Sequence, residues 1–328
     1  MTAQTLPSDA HVLSKMHGAP VFAVAFAADD QLLATGDSHG SVKLWEVADG
    51  ELRTRLDGHQ RAAWAVEFAP DGRTLASGSH DGSVRLWDVD GEREITSLLQ
   101  EDDMVWAIAF APDGEILAVG YQCGNVTLWD ARTGQELGTL TGHERAVFAL
   151  AFAPDGATLA TGGDDKTVRL WDVATRQQKT VLKGQVGAVA SVAFSPDGRY
   201  LASGVEDMSV VIWDLASGMI QTRLEGHSGL VEAVAFSPDG AVLATGSQDW
   251  TVRLWDVARW RRLTTLTGHE GPVWGLDFAS SGKLLASASE DRTARLWEVP
   301  SGRCAGTLCE GVAWAMPAVT RFSGYRSP

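Results

Sequence analysis

Apolar and polar residues alternate along most of the chain in short runs, each broken by a turn. Trp64-Ala-Val-Glu-Phe68 alternates, a Pro-Asp-Gly turn follows, and Leu75-Ala-Ser77 and Val84-Arg-Leu-Trp87 make two further runs. Leu52 to Leu56 is the kind of segment that supplies an outer fourth. A period of two predicts half-buried β-strands, and no stretch carries the 3.6-residue period of an amphipathic helix.

The pattern then recurs. Trp-acid pairs stand at Trp45-Glu46, Trp87-Asp88, Trp129-Asp130, Trp171-Asp172, Trp213-Asp214, Trp255-Asp256 and Trp297-Glu298, always 42 residues apart. Pro-Asp-Gly turns keep that step at Pro70, Pro112, Pro154, Pro196 and Pro238, as do Gly-His pairs at His59, His143, His227 and His269. One small twisted sheet cannot bury both its faces, whereas several stacked in a ring can. The sequence therefore predicts an all-β, seven-bladed propeller of four-stranded antiparallel blades. The small residues Ala23, Ala65, Ala107, Ala149, Ser191, Ala233 and Gly275 fit the crowded innermost strand. Residues 1–8 read as a flexible N-terminus, 9–308 as the propeller and 309–328 as a tail in which Gly311 to Met316 resembles the start of another repeat. Either Ala10 to Leu13 or Arg303 to Leu308 can supply the last outer strand.

Composition narrows the function classes. With 328 residues and 45% hydrophobic content the chain can bury a large core; Met1 to Ala10 lacks a cationic start followed by an apolar stretch, so no secretory leader is expected, and no apolar run reaches membrane-spanning length. Three cysteines, Cys123, Cys304 and Cys309, make no disulfide framework and lack zinc-site spacing, so a reducing cytoplasm is expected. The net charge of −15 disfavours nucleic acid and anionic membrane as partners, but most of it belongs to the repeating acidic positions and says little else. His39, His80 and Cys123 occupy equivalent turns of successive repeats, too far apart to share an ion, and no glycine loop joins a strand to a helix. No metal and no cofactor are expected.

These motifs resemble the WD-repeat β-propeller family over roughly Val12 to Leu308. The resemblance implies a buried hydrogen-bonded tetrad in each matching blade: His59, Ser77, Asp81 and Trp87; His143, Thr161, Asp165 and Trp171; His227, Thr245, Asp249 and Trp255; His269, Ser287, Asp291 and Trp297. Each set brings together the residue types of a hydrolase triad. Its repetition, with an indole N–H in need of a buried acceptor, reads instead as polar satisfaction within a core. Three repeats depart from the pattern. His39 stands where the first repeat should have Asp, Gln185 replaces the His of the fifth, and the third keeps only Trp129, with Glu101, Val119 and Cys123 in the other places. Blade three is either degenerate or reshaped around a ligand.

The resemblance also places Phe22, Trp64, Trp106, Phe148, Ala190, Glu232 and Trp274 at the mouth of the central channel, where partners of such propellers dock. The rings either plug the channel or anchor a partner, through an apolar side chain or through cation–π attraction to Lys, Arg or a methylated ammonium. Asp102, Asp103, Glu232, Asp164, Glu206 and Glu290 favour the cationic version, with Met104 and Gln122 beside them in blade three. All repeats keep one length, so no lid or long catalytic loop is available. The expectation is a monomeric, non-catalytic scaffold for a protein or peptide, basic if the acidic residues face it. The alternative is a small-molecule binder or enzyme at the same mouth, with Glu101, Asp102, Asp103 or Glu232 as acid or base.

Overall fold

The computed structural model describes residues 17–99 and 103–308. Glu101, Asp102, Cys309, Ala10 to Leu13 and the tail from 309 lie outside the described residues. Each of seven antiparallel sheets takes its four strands, in sequence order, from one continuous stretch: 21–56, 63–99, 105–140, 147–182, 189–224, 231–266 and 273–308. Leu52–Leu56 thus closes blade one, and Cys304–Leu308 fills the outer place of blade seven. The inner strands contact one another around the ring, and Val273–Phe278 returns to Val21–Phe26.

Stacked blades bury what single blades would expose. One apolar cluster joins Leu44 and Leu56 of blade one to Ala63, Leu75 and Trp87 of blade two. Another joins Val21, Phe26 and Trp45 to Ala288, Leu296 and Leu308 across the closing seam. The small-residue column has its reason here: a Cβ on Gly275 would stand 2.9 Å from the backbone oxygen of Phe22 on the neighbouring blade.

The seam between blades seven and one also has polar ties. The Asp30 carboxylate accepts the backbone N–H groups of Ser280 and Ser281 at 2.6 and 2.9 Å. Five blades have Pro at the position of Ser280, which has no N–H to offer, so losing the proline in blade seven is what allows this clamp. The His17 N–H reaches the Arg292 carbonyl at 3.1 Å.

Candidate functional site

In blades two, four, six and seven the His Nε2 lies 2.6–2.8 Å from the Ser or Thr hydroxyl, and Nδ1 lies 2.7–3.3 Å from the Asp carboxylate. The indole N–H donates to the same hydroxyl at 2.8–3.0 Å. Each Asp also accepts the backbone N–H after its His and the hydroxyl two residues after itself, Ser83, Thr167, Thr251 or Thr293. Burial alone would raise Asp81, Asp249 and Asp291, but hydrogen bonds from their histidines and turn hydroxyls outweigh it and hold all three well below the usual carboxylate range. Burial likewise pushes His143 and His269 down, and their aspartates offset this only in part. A neutral imidazole donating from Nδ1 accepts the hydroxyl proton at Nε2, while the hydroxyl oxygen accepts the indole. Ser77, Thr161, Thr245 and Ser287 are fully buried, so no substrate reaches these oxygens.

The three departing blades differ from one another. In blade one the carboxylate moves two residues upstream: Asp37 accepts the N–H groups of His39 and Ser41, each at 3.0 Å, and lies 3.6 Å from the buried Lys43 Nζ. Lys43 stands where four blades have Arg, 3.4 Å from His17 Nδ1, and burial together with its charge drives His17 well down. Blade three has its own relay, in which Trp129 Nε1–H donates to Thr127 Oγ1 at 2.6 Å and that hydroxyl donates to the Tyr121 oxygen at 3.2 Å. Blade five is unrepaired. Gln185 is buried with neither amide atom paired among the described residues, while Ser203 Oγ donates to the Val211 carbonyl and still accepts Trp213 Nε1–H at 3.2 Å.

The mouth is built by a local irregularity repeated in every blade. The ladder between the first two strands slips after the first inner-strand residue, leaving Phe22, Trp64, Trp106, Phe148, Ala190, Glu232 and Trp274 without a pairing partner. A bulge re-aims the extra residue's side chain, and all of these except Ala190 line one cavity on the channel. The rings form an arc: Trp274–Phe22 centroids are 5.9 Å apart, Phe22–Trp64 4.3 Å, Trp64–Trp106 5.0 Å and Trp106–Phe148 5.1 Å. Trp64 and Trp274 come within 5.7 Å across blade one, so the arc folds over the channel axis. It stops at Ala190 and Glu232, where a half-open hollow of about 280 Å³ lies.

A second column supports the first. The residue before the turn Asp faces the bulged residue of its own blade: His80 stacks on Trp64 at 4.9 Å, Gln122 Oε1 accepts Trp106 Nε1–H at 2.6 Å, and Gln248 Nε2–H donates to Glu232 at 2.7 Å. Asp103 and Met104 border a separate cavity of about 230 Å³ with Arg61 and His80. The Asp103 carboxylate accepts the Cys123 N–H at 3.2 Å. No group of three or more His, Cys, Asp or Glu side chains among the described residues is placed to hold a metal ion.

Two half-buried carboxyls on the inner strands lie outside the repeat pattern. Glu67 and Asp277, on the blades flanking blade one, stand in a column that is Ala in the other five. Each accepts an unpaired edge amide of the next blade, Phe110 N–H at 3.2 Å and Phe26 N–H at 2.7 Å. Burial, offset in part by the Phe110 bond and reinforced by Asp277, pushes Glu67 up to about 8; burial pushes Asp277 up to about 7.

Three family models match successive parts of the chain. One described as "WD domain, G-beta repeat" covers residues 10–46 and 50–88, and one described as "Anaphase-promoting complex subunit 4 WD40 domain" covers 92–148. A third, "Echinoderm microtubule-associated protein second beta-propeller", covers 147–322, more than half of the chain. Among curated proteins the chain is similar to apoptotic protease-activating factor 1 of Rattus norvegicus, 49% identical over 47 residues, which are 14% of this chain and 4% of that protein.

Proposed function

The chain belongs to the WD-repeat β-propeller family, and on that premise we propose that it is a non-catalytic scaffold that binds a protein or peptide at the aromatic mouth of its channel. Propellers of this family commonly serve as protein-interaction scaffolds and are generally non-catalytic. The observation that carries the finer reading is the bulge: seven blades deliver the same position to one mouth, and five of those residues are aromatic. Large rigid rings lose little conformational freedom on binding and anchor interfaces disproportionately. The triad-like sets support the same conclusion by being sealed inside blades. In this reading the protein is a cytoplasmic monomer, and its partner is neither nucleic acid nor membrane.

The test is capture of partners from the native cell with the intact protein and with Trp106→Ala, followed by calorimetry on what is captured. Truncating an anchoring ring costs on the order of 2 kcal/mol in affinity; unchanged affinity in a folded variant moves the site off this face. A small-molecule ligand or substrate is the second reading, favoured by the hollow beside Glu232, whose carboxyl burial pushes up. Mass spectrometry of the purified protein separates the two, because this second reading requires a small molecule that co-purifies with the intact chain and is lost from Glu232→Gln.

A further inference from the structure

Blades five and six break the symmetry of the mouth in the same way. Ala190 leaves a gap where five blades place a ring, and the space it opens has aromatic faces from Trp106, Phe148 and Trp274 on one side and Glu206, Glu232 and Gln248 on the other. The hydrogen bonds to these two carboxylates come from Gln248 and from the Ala188 N–H at 3.1 Å, and no Lys or Arg pairs with either among the described residues. Burial raises the Glu232 carboxyl, the Gln248 hydrogen bond offsets this in part, and the nearby charge of Glu206 adds to the rise. Aromatic faces and carboxylates without a cationic partner favour the same guest, a cation.

Just outward, the same two turns carry apolar side chains. Two residues beyond Glu206 and Gln248 stand Met208 and Trp250, 43% and 52% exposed, at φ of 69° and 72°. The equivalent position is Gly40, Gly82 and Gly124 in blades one to three, and Lys166 and Arg292 in blades four and seven. A bulky residue in the left-handed region is strained, and at these exposures its apolar surface gains little from burial in the fold. Val186, 68% exposed, and Met208 border an outer cavity otherwise lined by polar groups such as Arg223 and Glu225, so the turn Glu206-Asp207-Met208 separates an acidic, aromatic hollow from a rim with two exposed apolar side chains.

We propose that blades five and six form an off-centre docking site for a basic peptide segment of a partner protein: one Lys or Arg side chain enters beside Glu206 and Glu232, and an apolar side chain a few residues away covers Met208 or Trp250. The inference rests on the mouth being the binding face, and it adds position, charge and a two-part recognition pattern to that reading. Charge complementarity selects the occupant, because an acidic or neutral side chain in the hollow leaves both carboxylates unpaired.

The probe is a displayed library of random nine-residue peptides, selected on the full chain, on the Glu206→Gln/Glu232→Gln double variant, on Met208→Ser/Trp250→Ser and on Trp106→Ala, each with its melting transition checked. The expected result is enrichment of Lys or Arg at one position with a large apolar residue within about three positions of it, and the enriched residue itself tells ammonium from guanidinium. The basic preference should vanish on the Glu variant, and a synthesised consensus peptide should bind it at least tenfold more weakly. The apolar preference alone should vanish on the Met208/Trp250 variant. Peptides without a basic consensus that still require Trp106 would overturn this inference while leaving the mouth reading intact. Enrichment of acidic residues, or a basic preference unchanged on the Glu variant, would also overturn it. No enrichment on any variant would remove both.

Discussion

Replacing Glu67 with Gln isolates the energetic effect of a half-buried carboxyl on the inner strand of blade two. The side chain accepts one backbone N–H, from Phe110, and Gln keeps an oxygen for that bond. What changes is the proton. In the folded ring the carboxyl holds its proton up to about pH 8, whereas an ordinary Glu side chain releases it near 4.5. The folded state therefore binds more protons than the unfolded chain between those two values, so stability is complete below about pH 4.5 and falls as pH rises through 8. The slope is at most ~1.4 kcal/mol per pH unit. Between pH 5 and pH 8 the ceiling is thus ~4 kcal/mol, and ~2 kcal/mol is expected once water in the channel relieves part of the desolvation. Thermal unfolding of wild type and Glu67→Gln, followed by circular dichroism from pH 5 to 9, reads the difference directly. The variant should match wild type at pH 5 and melt several degrees higher at pH 8, since a kilocalorie moves the midpoint by roughly 2 °C in a chain of this size. Asp277→Asn should follow the same course shifted to lower pH. A melting difference that stays constant across the range would refute the assignment of a proton to Glu67.

Three further outcomes follow from the tetrads. His143→Ala strands Thr161 and Asp165 inside blade four and should cost about 1–3 kcal/mol in denaturant unfolding, whereas Val119→Thr in blade three, where the indole already has Thr127, should bring no gain. Gln185→His finds Ser203, Asp207 and Trp213 already in place and removes two unpaired buried amide atoms, so it should raise stability by about 1–2 kcal/mol; a lower melting temperature would mean that the Gln185 pocket does not have the tetrad's geometry.

The fold was legible because its determinants are local and repeat: a 42-residue period, turn residues at fixed offsets and alternation within each run. The four full tetrads were legible for the same reason. What escaped the sequence depends on neighbours that the repeat does not encode. Glu67 and Asp277 sit at the polar phase of an alternating strand and read as solvent-facing, yet that face looks onto the next blade's edge. Blade one has His at position 39, where the pattern has Asp, and its turn acid is Asp37, two residues upstream in the same turn. Blade three's relay runs through Tyr121 and Thr127, neither of which belongs to the family pattern. The signals were present in Gly36-Asp37-Ser38-His39 and in a tyrosine at a position that is otherwise Asp, Ser, Gly or Val. The mouth column was found by resemblance, but the bulge that creates it has no residue signature.

The seam between blades seven and one shapes how the molecule assembles. Every other blade joins a neighbour adjacent in the chain, so nearly all contacts are formed between residues that are close in sequence and fast to find. Only the seam joins distant residues: the Phe26–Asp277 and Asp30–Ser281 bonds each span 251 positions. The entropy of closing that one large loop is met at a single step, after an open stack of blades has grown by nearest-neighbour docking. Asp30 ties the two blades together at that seam through Ser280 and Ser281. In the folded protein the same place has the least covalent continuity, so opening should begin there, with the amide hydrogens of Ser280, Ser281 and Phe26 exchanging before those of any interior blade.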